Sequence, residues 1–239
     1  MKALFHTGRL GGTVGIFLIC ALCLSGTRSM GADPSPDNVY VSPDSLPATL
    51  KRVLILPLAH ERSAADLSGG CELLYPVLRS ELIKTKKFEV VSADTKTMQG
   101  LTGQADWTGA EVLPPDFFGS LQRVYGCDAV LFCELSTFHA YPPLAVGWRL
   151  KLVDLSSQKI IWATDVVFDA GDPSVCKSAE AYQRRQQGVE QPTTFFKRAW
   201  IWMNRQPEPA TDDQWTVLNS PRYFGEFSAA TLLRTLPKR

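Results

Sequence analysis

The chain has 239 residues, of which 45% are hydrophobic and 21% charged, and its formal net charge is +1. No block of basic residues dominates any region, which argues against nucleic-acid binding through a positive patch. About 207 residues remain when the first 32 are set aside, enough for one domain of ordinary size with elaborations.

The first 32 residues have the three parts of a secretory signal peptide. Two basic residues precede an apolar run of eleven residues, 14–24, and small and polar residues follow it. A helix needs about 20 apolar residues to span a bilayer, so the run predicts an export signal rather than a permanent anchor. Ala32 is a suitable cleavage position, with Ser25 and Gly26 as alternatives. We expect an exported protein, in the periplasm or attached to the outer membrane.

Lipidation of this segment is an alternative, but the residues just before its two cysteines argue against it. Cys20 and Cys23 are its candidates, because a lipoprotein signal is cut just before a cysteine that then carries the lipid. Such a site favours a small residue before the cysteine, whereas Ile19 and Leu22 occupy those positions. The favoured interpretation is that both cysteines serve as small hydrophobic residues of the signal.

Four cysteines follow the signal: Cys71, Cys127, Cys133 and Cys176. In an oxidising compartment an even number permits two disulfides, and four cysteines allow three pairings. Buried free thiols are the alternative. Cys127 and Cys133 flank or enter one predicted strand and would lie roughly 20 Å apart along it, so we do not expect them to pair. The spacing is not that of a zinc site.

The first half of the mature chain alternates strands and helices. Residues 33–50 are rich in Pro, Ser and Asp and predict a flexible leader, so the domain is expected to begin at residue 51. Residues 52–58 form a continuous apolar run, typical of a strand buried on both faces. An amphipathic helix follows, and then a short strand over 88–92. Residues 93–115 are a long polar connection, expected to hold a small helix or a functional loop.

The residue pattern of the second half predicts a helix, a meander of strands and further helical segments. A helix over 117–125 precedes a strand over 129–138. Residues 144–153 alternate in hydropathy, as a half-buried antiparallel strand does, and residues 160–168 return as the hairpin partner. Residues 169–219 are predicted to form a helical elaboration. A helix after Ser220-Pro221 is expected to dock on the sheet. The predicted fold is α/β, one domain over 51–239 with a mixed sheet in β-α-β-α-β-β-β order.

Several motifs of this region resemble a known envelope family. They are Val53-Leu54-Ile55-Leu56-Pro57-Leu58, Leu78-Arg79-Ser80-Glu81-Leu82, Lys87-Phe88-Glu89-Val90-Val91, Gly126-Cys127-Asp128-Ala129-Val130-Leu131, Leu150-Lys151-Leu152-Val153-Asp154 and Ile161-Trp162. Together they are similar to the α/β domain of curli-secretion-type (CsgG-like) lipoproteins, lipoprotein activators of penicillin-binding proteins, and the amino-terminal domain of TolB. The resemblance covers about half the chain. It implies a non-enzymatic domain that binds other envelope proteins or builds a secretion ring.

Two departures from this family limit the resemblance. The clear lipidated cysteine of many members is absent. The chain also lacks a pair of long alternating hairpins, with strands of about 10 residues, that could line a membrane barrel. The sequence therefore does not favour a pore.

Catalytic motifs are absent from the sequence. The three histidines, His6, His60 and His139, are dispersed, and HExxH, GxSxG, P-loop and dinucleotide-binding patterns do not occur. We therefore predict no catalytic residue, no cofactor and no metal site. The alternative is a periplasmic ligand-binding or hydrolytic protein that uses His60, Glu61 and His139, because α/β sheets often place ligands in the loop after the first strand.

Aromatic residues are the best candidates for a partner surface. They are Trp107, Phe195, Phe196, Trp200, Trp202 and Trp215. The alternative is that they pack over the sheet. The leading hypothesis is an exported, non-enzymatic envelope protein that acts by protein–protein contact, as a component or accessory of a secretion, cell-wall or surface-structure assembly. Its expected partners are envelope proteins or further copies of itself, with no nucleic acid, and with a membrane only if the chain is lipidated.

Overall fold

The computed structural model describes residues 36, 38–42, 46–61, 67–187 and 216–239. Within the chain, residues Ala32–Arg239 form one compact unit. No helix in the described ranges has the length and hydropathy that crossing a membrane requires.

Seven strands form one mixed sheet in the described part of the chain. They are β1 (Val39–Val41), β2 (Arg52–Ile55), β3 (Ala59–His60), β4 (Glu89–Ser92), β5 (Ala129–His139), β6 (Ala145–Asp154) and β7 (Ile160–Asp169). Their order is β1-β7-β6-β5-β2-β4, and β3 pairs separately with β5. β2, β3, β4 and β5 are joined by parallel pairings, whereas β5, β6, β7 and β1 are joined by antiparallel ones. The predicted mixed α/β sheet is confirmed.

Five helices lie in the described ranges. They are α1 (Ser68–Lys84), α2 (Thr95–Thr102), α3 (Phe117–Tyr125), α4 (Pro173–Gln186) and α5 (Pro221–Leu233). Three of these helices have a side-chain N-cap. Asp94, Asp172 and Ser220 each accept a hydrogen bond from a backbone N–H of the following helix. These side-chain oxygens satisfy donors that the first turn leaves without a helical partner.

β2 is buried on both faces, which explains its continuous apolar run. Val53 and Ile55 face a first core, beneath α1, α4 and α5, while Leu54 and Leu56 face a second core, beneath α2 and α3. Successive strand residues point to opposite faces, so a strand between two helix layers needs apolar residues at every position.

Two buried tryptophans attach the carboxyl-terminal segment to the antiparallel strands. The indole N–H of Trp148, on β6, donates to Ser228 Oγ of α5 at 2.9 Å. Likewise, the indole of Trp162, on β7, donates to Thr235 Oγ1 at 2.9 Å. Docking of the carboxyl-terminal helix on the sheet, expected from its apolar residues, is thus confirmed.

The expected flexible leader is corrected by the structure. β1 lies within residues 33–50 and pairs antiparallel with β7. Leu46 and Leu50 are buried in the first core, and Leu46 N–H donates to Lys238 O at 3.3 Å. The domain therefore includes residues 38–42 and 46–50. Tertiary pairing orders a stretch whose composition favours a loop, because the backbone hydrogen bonds of β1 depend on β7 and little on its own side chains.

A partly exposed hydrogen-bond junction between β2 and β5 gives a first prediction. Asp128 Oδ2 accepts from the backbone N–H groups of Lys51 and Arg52, both at 2.8 Å, and so joins the start of β2 to that of β5. Asp128→Ala removes the acceptor of both donors and should lower the free energy of unfolding by about 1–3 kcal/mol in urea denaturation. Asp128→Asn keeps one oxygen acceptor and should lose less; an equal loss in the two variants would contradict this role.

Candidate interaction surface

Part of one sheet face reaches solvent beyond the second core. We define this outer face by Tyr40, Glu134, Arg149, Lys151, Asp165 and Val167. Tyr40 is 52% exposed and Val167 51%, and the side chain of Arg149 is 45% exposed. In β6, Trp148 and Leu150 point into the first core while Arg149 and Lys151 point the other way, as the sequence alternation predicts.

A row of three charged residues crosses the centre of the outer face. Strand register places Arg149 opposite Glu134 on one side and opposite Asp165 on the other. Arg149 Nη1 lies 2.7 Å from Glu134 Oε1, and Arg149 Nε lies 2.9 Å from Asp165 Oδ2. One planar guanidinium therefore bridges three strands, and the row carries a net charge of −1. The two hydrogen bonds hold the planar guanidinium of Arg149 in one orientation. It therefore suits directional polar recognition better than the flexible ammonium group of a lysine would.

Glu134 occupies the most buried position of this row. Its side chain is only 9% exposed, and Oε2 has no hydrogen-bond partner among the described residues. The Ser136 hydroxyl, at the bulge where β5 changes register against β6, is likewise buried without one. A Cβ at Gly147 would lie 2.4 Å from Ser136 Oγ, so only glycine fits beneath that hydroxyl. Burial raises the pKa of the Glu134 carboxyl, and Arg149 opposes the shift.

Because the pKa of Glu134 is raised, its contribution to the free energy of unfolding should fall as pH rises. A proton on this carboxyl favours the folded state, so its contribution is complete below the usual glutamate pKa of about 4.3 and is lost as pH rises through the folded value. Relative to Glu134→Gln, the wild type should therefore lose unfolding free energy between pH 4 and pH 7. Denaturant titrations at several pH values measure this, with Glu89→Gln, at an exposed carboxylate, as the charge control. A wild type that gains relative stability over this range would contradict it.

The loop between α2 and α3 borders the outer face. Lys151 Nζ donates to the carbonyl oxygen of Gly109, which ties the loop to β6. In the same loop, Thr108 N–H donates to Glu111 Oε2 at 3.2 Å. The predicted small helix in this connection is present as α2.

Trp107 is not part of a partner surface, which corrects that prediction. Its side chain is 4% exposed and lies in the second core. The ring packs edge-on against Phe117 at a centroid distance of 5.3 Å, and the indole N–H donates to Thr102 Oγ1 at 2.8 Å. The hydroxyl at the end of α2 thus satisfies the polar end of the indole, and burial of the ring becomes favourable.

The other predicted surface and lipidation residues lie outside the described residues. They are Phe195, Phe196, Trp200, Trp202, Trp215, Cys20 and Cys23.

The structure does not bring the two candidate histidines together. His60, in β3, lies opposite Leu135 of β5, whereas His139 ends β5 opposite Ala145. Leu135 and His139 are four positions apart on β5, which separates the two histidines by roughly 13 Å along the strand. That distance is well beyond the hydrogen-bond reach that shared catalysis requires. In the described ranges, no three His, Cys, Asp or Glu side chains are grouped to hold a metal ion.

The four cysteines after the signal are free thiols in the structure. Burial raises the pKa of Cys71 and of Cys127 to about 11, and it raises the pKa of the fully buried Cys133 as well. Because the thiolate is the nucleophilic form, these thiols are weakly reactive at neutral pH.

Comparison with known protein families and with curated proteins finds no match. Among solved structures, the PelC dodecamer of Paraburkholderia phytofirmans is 13% identical over 59% of this chain and 86% of its own, with a TM-score of 0.38. Lipoprotein GNA1162 of Neisseria meningitidis is 14% identical over 58% and 97%, with a TM-score of 0.37. TolB of Acinetobacter baumannii, which the sequence resemblance also names, is 13% identical over 63% and 31%, with a TM-score of 0.32. Similarity at this level assigns the chain neither a family nor an activity.

Proposed function

We propose that this chain is an exported, non-enzymatic envelope protein that acts by protein–protein contact, as a component or accessory of a secretion, cell-wall or surface-structure assembly. The observation that supports this most is the outer face. Its charged row of Glu134, Arg149 and Asp165 is solvent-accessible at Arg149 and lies between the exposed side chains of Tyr40 and Val167.

The composition of the outer face suits protein recognition. Tyrosine and arginine are enriched among the residues that contribute most to protein–protein binding energy. Charged groups held in a fixed arrangement select partner and orientation more than they add affinity. A partner that approaches Arg149 would meet an oriented guanidinium and the exposed carboxylate of Asp165, with apolar contacts on both sides.

The basic, apolar and small-residue pattern of the first 32 residues supports export. Mass spectrometry of the mature amino terminus tests this part of the proposal. A chain that begins at Asp33 fits a protein free in the periplasm, and a lipid-bearing Cys20 or Cys23 fits attachment to the outer membrane. An uncut chain that begins at Met1 would contradict export.

Photo-crosslinking in intact cells tests the outer face. A photoreactive residue at Tyr40 or Val167 should form adducts of defined mass, and Arg149→Ala should abolish them. The control is the same residue at Val124, which is exposed on α3 and does not belong to the outer face. An adduct of twice the chain mass identifies a second copy as partner, and another mass identifies an envelope protein. Equal labelling at Val124, or none at Tyr40 and Val167, would contradict the proposal.

A further inference from the structure

A polar cleft lies between α1, α4 and α5, on the opposite side of the sheet from the outer face. Its volume is about 380 Å³, within the range of small-molecule sites. Its lining includes Lys84, Tyr182, Gln183, Gln186, Tyr223 and Glu226. A second cleft of about 370 Å³ adjoins it and shares Lys84, Tyr182 and Gln186.

The walls of the cleft are held by contacts within the protein. Tyr182 is buried, and its ring packs edge-on against Phe227 at 5.8 Å. Gln183 Oε1 accepts a hydrogen bond from Val217 N–H at 3.0 Å, which joins α4 to the segment before α5. Lys84 forms an ion pair with the buried carboxylate of Glu81 on the same helix. A ligand would therefore enter a site whose geometry already exists, which lowers the entropic cost of binding.

The charges of this lining favour an uncharged ligand. Glu81 balances Lys84, and Glu226 lies 3.8 Å from Arg222 on α5. The lining of the first cleft holds one cation, Lys84, and one anion, Glu226, so it lacks the surplus of positive charge that a phosphate or nucleotide needs; Lys87 and Arg234 line only the adjoining cleft. The amide of Gln186 has both donors and an acceptor, and that of Gln183, whose Oε1 already accepts from Val217 N–H, adds two N–H donors, as a ligand rich in hydroxyl groups requires. Tyr223, 46% exposed, adds an aromatic surface on which an apolar C–H face can pack.

We propose that this cleft binds a neutral saccharide of one or two sugar rings. Hydroxyl groups both donate and accept, so they can pair with the amides of Gln183 and Gln186 and with the carboxylate of Glu226. The C–H face of a sugar ring is apolar and flat enough to lie on the ring of Tyr223. The proposal is independent of the outer face, since the two sites share no residue.

Isothermal titration calorimetry of the mature chain tests this with cellobiose, maltose and diacetylchitobiose as probes. At least one should bind with a Kd on the order of 1 mM or tighter. Gln186→Ala and Tyr223→Ala should each weaken that binding about fivefold to tenfold, since each removes one set of contacts. Gln122→Ala, at an exposed glutamine of α3, is the matched control and should leave binding unchanged.

Three results would overturn the proposal. They are the absence of measurable binding by all three disaccharides, equal affinities in the cleft variants and the control, and tighter binding of inorganic phosphate or glycylglycine than of any saccharide. Both cleft substitutions are at exposed positions, and unchanged thermal unfolding of the variants verifies that the fold is intact. Arg149→Ala should retain saccharide binding, so failure of the outer-face proposal and failure of this one are distinguishable.

Discussion

Trp148→Ala should lower the free energy of unfolding by about 3–5 kcal/mol, the range for removing a large aromatic side chain from a core. Trp148 is completely buried in the first core, where β6 packs against α5. Alanine would leave a cavity that the strand and helix can fill only in part. Because the residue supports both the sheet and the carboxyl-terminal helix, its loss should shift the whole unfolding transition.

A double-mutant cycle separates the indole hydrogen bond from the packing of the ring. Ser228→Ala leaves the buried indole N–H without its acceptor and should cost about 1–3 kcal/mol. Trp148→Phe keeps much of the ring, and in that background Ser228→Ala should cost clearly less. Equilibrium denaturation of the four proteins gives the coupling energy. A coupling near zero would mean that the 2.9 Å contact contributes nothing to stability.

Two neighbouring glycines in the first turn of α1 should respond to alanine in opposite directions. A Cβ at Gly70 would lie 2.7 Å from the ring of Phe138 and 2.8 Å from Leu135, whereas a Cβ at Gly69 would meet nothing within 4 Å. Gly70→Ala must displace the buried Leu135 and the partly buried Phe138 and should destabilise by about 1–3 kcal/mol. Gly69→Ala gains helix propensity and should stabilise by about 0.5–1 kcal/mol.

Thermal unfolding of the two glycine variants measures this difference with the same chemical change at adjacent positions. Gly70→Val should exaggerate the loss, because a larger side chain needs more displacement of β5. If both alanine variants shift Tm in the same direction, the close approach of α1 to the end of β5 is not what limits position 70.

Several elements follow directly from local patterns. The alternation in β6 predicts both its strand and which side chains face the first core, because one face is buried and the other is not. Asp94 and Asp172 show why α2 and α4 begin where they do. β1 is not predictable in this way, since its three residues are half-buried or exposed and acquire their order from β7.

For the outer face, the sequence predicts which side chains point outward but not which ones meet, because contacts between strands depend on tertiary pairing. The pattern of β6 places Arg149 away from the first core, but its neighbours depend on the register of three strands and on the bulge at Ser136. A slip of one residue would move Glu134 to the other face and separate the pair. Trp107 fails as a predicted surface residue because its hydrogen-bond partner, Thr102, belongs to a helix that the sequence shows only weakly.

The position of β1 has a mechanical consequence. A pulling force on the chain ahead of Asn38 enters the domain through a three-residue strand that is paired on one side only, with β7. This pairing involves three residues at the edge of the sheet, so it should detach before the core is loaded. The load then reaches Leu46 and Leu50, which are anchored in the first core and bonded to the carboxyl-terminal segment. The domain can therefore yield to tension in a first step that removes Tyr40 from the outer face, while the folded core and the charged row of Glu134, Arg149 and Asp165 stay intact.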